Sequence, residues 1–162
     1  MKLLFSNPLE LGKTGAGRPY GYLYRFLKDK AEKGELSLKF IGGVELVKQL
    51  YSGLPAPSEQ LGHAQLSDLL ASFDEALLGY DVFLGAGCAS LSQIRAIRGS
   101  PTAAITTWFS SHYAFAWKVL EQDYKRFGIK GVPIDPYLIW RDQWEHKWSD
   151  ALIVPSEACK ET

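Results

Sequence analysis

Five short runs set what this chain can fold into: KLLFS (Lys2–Ser6), LSLKFI (Leu36–Ile41), DVFLG (Asp81–Gly85), TAAITT (Thr102–Thr107) and ALIVP (Ala151–Pro155). Their interiors read as continuously apolar, the mark of strands covered on both faces in a parallel sheet. Helical spacing fills the gaps. Leu23, Phe26 and Leu27 set one face of a helix from about Tyr22 to Lys33, which Gly34 ends. A short helix is expected over 44–51, and Leu66, Leu69, Leu70, Phe73 and Leu77 mark an amphipathic helix from Gln65 to Leu78. A helix through Leu91–Ile97, an aromatic one over Tyr113–Phe127 and another from the Asp135 cap and Pro136 to about Ser149 complete the series. With right-handed crossovers this is an α/β chain: one doubly wound, mainly parallel, Rossmann-like domain over residues 1–162, with helices on both faces. Ligands of such sheets bind outside the carboxyl ends of the strands, where strand order reverses.

The bulk chemistry excludes several classes. Eighteen Lys and Arg balance eighteen Asp and Glu, so nothing global favours a nucleic-acid partner. MKLLFSN is too brief an apolar opening for a signal peptide or a spanning helix. Cys88 and Cys159 stand apart with no CxxC spacing, which suits a reducing, cytoplasmic setting. The segment GLPAPSEQLG, Gly53 to Gly62, is rich in loop formers and is expected to be disordered.

Three segments carry candidate chemistry. In GKTGAGRPYG, the glycines at 12, 15, 17 and 21 allow close approach to the backbone, and the following helix start offers amides to phosphate. Arg18 there either meets an anion or sits in solvent, and the loop is not a GxxxxGK[ST] cradle. GAGCAS, Gly85–Ser90, matches half of GxGxxG; it reads as a close-packed turn with a Ser90 cap, against the alternative of a nicotinamide cradle. His112, in WFSSHYAF, follows a strand at the cleft mouth, where an imidazole suits phosphate or a sugar hydroxyl. The alternative is that Ser110 or Ser111 caps the helix and His112 sits in its first turn. His63 and His146 read as surface residues, and the Tyr113–Phe127 stripe as core. HExxH, paired CxxC, DxD and GxSxG are all absent, so no metal is expected. Lys118, Lys125, Arg126 and Lys130 offer a weak case for a membrane surface, diluted by Glu121 and Asp123.

The chain as a whole resembles the N-terminal domain of a GT-B glycosyltransferase of the family-4 retaining type. KLLFSN…GAGRPYGYLYRFL, AITTWFSSH and above all SDALIVPSEACKE carry the likeness. The resemblance implies an acceptor-binding domain in which Gly15, Ala16, Gly17 and Arg18 face an interdomain cleft, with His112, or Ser110 in its place, near the transfer site. It implies a sugar acceptor (glycan, lipid or small molecule) and no cofactor in this chain. A nucleotide-diphosphate sugar donor would be held by a second, C-terminal domain reached through the Ser156-capped helix. That domain's E-x₇-E pair is absent from these residues, so they are expected to be inactive alone. A stand-alone nucleotide-binding or protein-interaction domain is the alternative.

Overall fold

The computed structural model describes residues 1–7, 11, 17–43, 60–109, 112–131 and 133–161. In chain order the elements are β1 (Lys2–Asn7), α1 (Gly17–Glu32), β2 (Ser37–Gly42), α2 (Gln60–Ala71), a 3₁₀ turn (Glu75–Gly79), β3 (Val82–Ala86), α3 (Leu91–Ile97), β4 (Ala103–Thr107), α4 (Tyr113–Phe127), α5 (Pro136–Trp148), β5 (Ala151–Ile153) and α6 (Glu157–Lys160). The five strands form one all-parallel sheet in the order β2-β1-β3-β4-β5. This is the doubly wound, Rossmann-like α/β arrangement, and strand order reverses between β1 and β3.

Register explains the two faces. Phe5 lies opposite Phe40 and Leu84, and Leu84 opposite Ile105, so one row of apolar side chains crosses four strands. Leu3, Phe5, Leu84 and Ala86 pack there under Tyr20 and Leu27 of α1. Leu4, Phe83 and Ala104 point the other way, onto Ala71 of α2, Ile94 and Ile97 of α3, and Leu77 of the 3₁₀ turn. Local signals act as their chemistry requires. Gly34 takes φ 75° after α1, the Asp135 carboxylate accepts from the Tyr137 amide, and the Ser156 hydroxyl accepts from the Cys159 amide. The helix expected over 44–51 and most of the loop-forming segment 53–62 lie outside the described residues; Gln60–Gly62, expected to be disordered, are helical.

Two helices differ from expectation, and a third buries charge, in ways that matter below. The helix expected to run from Gln65 to Leu78 stops at Ala71, where the Ser72 hydroxyl takes the Leu69 carbonyl at 2.6 Å and a 3₁₀ turn follows. Its expected apolar stripe is split: Leu77 is in the core, Leu66 and Leu70 are half-buried, and Leu69 and Phe73 are 47% and 75% exposed, while Ser67 and Asp68 are buried. In α5, which spans the expected residues, Arg141, Asp142 and Glu145 are buried with Leu138, and Tyr137 and Trp140 are exposed. The aromatic helix α4, expected to be core, has no buried residue, because α5 takes the place against the sheet.

Removing a ring from the core row should show where stability resides. Phe83→Ala is expected to lower unfolding free energy by about 3–5 kcal/mol in urea titrations, whereas Phe26→Ala, on the exposed side of α1, should stay within about 0.5 kcal/mol of the parent. Equal effects would contradict this packing.

Candidate functional site

The carboxyl edge of the sheet at the β1–β3 reversal is where a ligand would enter. β1 ends there on Asn7, which is fully buried, and Gly17 opens α1 after the glycine loop. Gly12, Gly15 and Ala16 lie outside the described residues. Arg18 is exposed in the first turn of α1 and, with Leu11, Gly21, Tyr22, Tyr24 and Arg25, lines an open cleft of about 450 Å³. Arg25 lies over the Tyr22 ring at 4.7 Å, and among the described residues neither guanidinium has an acidic partner. The first turn of α1 carries no acidic side chain. Two cations, aromatic faces and a helix N-terminus together suit an anionic, hydroxyl-rich ligand.

The second candidate, the GAGCAS turn, is closed from within. Glu145 of α5 accepts from the amides of Cys88 (2.6 Å), Ser90 (2.9 Å) and Leu91 (2.9 Å). Asp68 of α2 accepts from the amides of Ser92 (2.8 Å) and Gln93 (3.1 Å). Arg141 bridges the pair: it hydrogen-bonds Asp68 through Nη2 and stands 3.6 Å from Glu145 Oε1, while Nε donates to the Cys88 carbonyl at 3.0 Å. The amides that a phosphate would need are therefore taken by carboxylates of the same fold. Ser90 does not cap α3 with its side chain as expected; its hydroxyl donates to the Ala86 carbonyl at 2.7 Å, and Glu145 does the capping.

Glycine is required in this turn, since a Cβ on Gly85 would meet Ser90 and one on Gly87 would fall on the Trp108 indole. Cys88 adopts φ 63°, a left-handed conformation held because α5 binds both its amide and its carbonyl. Burial pushes the Cys88 thiol up, with the Glu145 and Asp142 charges adding to it, so it stays a neutral packing group. Burial also pushes the Glu145 carboxyl up, while Arg141 and the Ser90 and Cys88 amides pull it back. Both its oxygens accept N–H bonds, which is the arrangement of an ionised carboxylate.

The third feature joins residues far apart in sequence. His112 is itself the N-cap of α4, with Nδ1 accepting from the Ala114 amide at 3.0 Å. Its Nε2 stands 3.3 Å from Oδ2 of the fully buried Asp142, which also accepts the Tyr113 amide at 2.9 Å. His146 Nε2 stands 3.3 Å from Asp142 Oδ1, and the two imidazoles lie 4.9 Å apart. Trp108 walls the cluster, with its ring 5.5 Å from His146. Burial raises the Asp142 pKa against the Tyr113 amide and both imidazoles; burial lowers that of His146 against Asp142. Ser110 lies outside the described residues.

His146 is thus not the surface residue its charged neighbours suggested. Asp142 and His146 are four apart on one helix and so share a face; that spacing was the available signal. No protein-family model matches this chain, and neither a curated protein nor a solved structure matches it. The site's chemistry rests on its own geometry. Among the described residues, no helix is long and apolar enough to cross a membrane.

Glu145→Ala frees three buried amides and leaves Asp68 and Arg141 in a broken cluster. It is expected to destabilise the fold by about 3–5 kcal/mol, with Glu145→Gln, which keeps one acceptor oxygen, losing less. Chemical denaturation of both variants checks the order; a parent-like Glu145→Ala would mean that the carboxylate does not carry the turn.

Proposed function

We propose that these residues form the acceptor-side domain of a sugar-nucleotide-dependent, retaining glycosyltransferase of GT-B architecture, working in the cytoplasm, with the donor nucleotide held by a second domain. The observation that carries this reading is the contrast between two helix N-termini at the carboxyl edge. That of α3 is sealed by Glu145 and Asp68, whereas the first turns of α1 present Arg18 and Arg25, which have no acidic partner among the described residues, to the tyrosine-lined cleft. A sealed GAGCAS turn speaks against a nicotinamide cofactor bound there, and the order of the parallel strands agrees with the architecture.

On this reading Arg18 faces the diphosphate or an anionic acceptor as the cleft closes, and the aromatic faces of Tyr22 and Tyr24 take the apolar side of a sugar ring. Glycosyl transfer needs leaving-group charge stabilised by cations, amides and helix ends, and needs the reactants aligned away from water. One half of a cleft supplies part of that set, so turnover is a property of the two-domain protein. His112 enters the reading through position, since its two ring nitrogens face Ala114 and Asp142 inside the fold.

The test is transfer of label from radiolabelled nucleotide sugars to a panel of hydroxyl acceptors by the longer polypeptide carrying this domain. Transfer is expected from that polypeptide and not from residues 1–162 alone. Arg18→Ala should lower kcat/KM roughly 10- to 100-fold, as loss of one charge-assisted hydrogen bond does, with an unchanged melting temperature. Turnover by residues 1–162 alone, or an Arg18→Ala enzyme as fast as the parent, would contradict the reading.

A further inference from the structure

The Asp142 carboxylate stands between two imidazoles brought from different elements, and its contacts to them are not those of an ordinary hydrogen-bonded pair. Among the described residues, Asp142 Oδ1 and His146 Nε2 are both buried without a hydrogen-bond partner, and their 3.3 Å separation is longer than the usual N–H···O distance. The separation of His112 Nε2 from Asp142 Oδ2 is also 3.3 Å. Nitrogen and oxygen ligands at zinc bond lengths of about 2.0–2.1 Å occupy corners of a tetrahedron whose edge is roughly 3.3 Å. One ligand atom from each of the three residues lies within 4.8 Å of the other two, so a small imidazole rotation closes the set. Asp142 is wholly buried, while the two imidazole side chains are 17% and 19% exposed.

We propose that His112, Asp142 and His146 form a binding site for a first-row divalent cation, zinc foremost, with three protein ligands and a fourth position open to water or a substrate oxygen. Two imidazoles and a carboxylate are the donor types that zinc takes in open, three-ligand sites, and iron(II) and manganese(II) accept the same set. The cation would also offset the burial of the Asp142 charge, which no arginine or lysine among the described residues pairs with.

Binding has one internal consequence. Coordination through His112 Nε2 places the ring proton on Nδ1, which in this structure accepts from the Ala114 amide. That cap must open, and a single cap is a small term beside chelation of zinc. Asp142 keeps its bond from the Tyr113 amide, so the first turn of α4 stays attached while Ala114 is released. The inference is independent of the transferase reading, because its readout is metal and not transfer.

The purified chain, stripped with a chelator, is titrated with zinc against a chromophoric competitor, and separately with cobalt(II) read by its visible d–d absorption. One equivalent should bind, the cobalt spectrum should have four- or five-coordinate intensity, and the Ala114 amide should lose hydrogen-exchange protection on zinc addition. His146→Ala, which removes no backbone hydrogen bond, should weaken zinc binding by roughly 100-fold or more, as should His112→Ala, while His63→Ala leaves it unchanged. The His146→Ala result decides if the capping variant fails to fold. No stoichiometric zinc binding by the parent chain, or binding that survives His146→Ala, would overturn the proposal.

Discussion

Arg141 lies between two buried carboxylates, Asp68 and Glu145, and five backbone amides from Cys88 to Gln93 donate to those carboxylates. Each partner is intelligible only through the others. The amides at the start of α3 need acceptors, the acceptors are charged and buried, and the guanidinium offsets one of those charges while fixing the Cys88 carbonyl. The cluster joins α2, α3 and α5 on one face of the sheet and shapes the turn that leaves β3. It also sets α5 in rotation about its axis, so that Asp142 meets the first turn of α4. A helix with no buried residue of its own is thereby attached to the body at its N-terminus.

This cluster also explains which parts of the structure were readable in the sequence. The five strands, their parallel pairing and the caps at Asp135, Gly34 and Ser156 follow from local chemistry, and they appear where apolar runs and capping residues stand. The helices α2 and α5 are less legible because charged side chains lie on their buried faces. Hydrophobic periodicity assumes that burial is driven by apolar area, and in α2 it selects Leu69 and Phe73, which are exposed, together with Leu77, which is core. Asp68 and Glu145 are inside because amides 20 to 60 residues away need acceptors, Arg141 is inside because those carboxylates and the Cys88 carbonyl need a donor, and no window of sequence contains both sides. The candidate ligand set was hidden for the same reason: Asp142 and His146 share a helix face, but His112 reaches them only through the packing of α4 on α5.

The carboxyl edge of the sheet therefore holds three unlike environments within one domain. Beyond β1, the start of α1 lines a cleft with Arg18 and Arg25, which have no acidic partner among the described residues. At β3 the equivalent position is sealed by the fold's own carboxylates. Beside β4, a buried aspartate is flanked by two partly buried imidazoles. The proposed division of labour follows from these differences in saturation: a group already satisfied internally builds the fold, and a group left unsatisfied is available to a ligand. Outward-facing Tyr137, Trp140 and Phe73 border an open groove of about 770 Å³ on the α2–α5 side.

Native-state hydrogen exchange at the start of α3 measures the sealing directly. Amides of Ser90, Leu91, Ser92 and Gln93 belong to the first turn of a helix, where an open N-terminus would leave them to exchange at nearly unprotected rates. Bonded to Glu145 and Asp68, they should exchange only through global unfolding, with protection equal to that of core strand amides such as Leu84. Fast exchange at these four positions in an otherwise protected protein would contradict the account, because it would mean that the carboxylates do not close the turn.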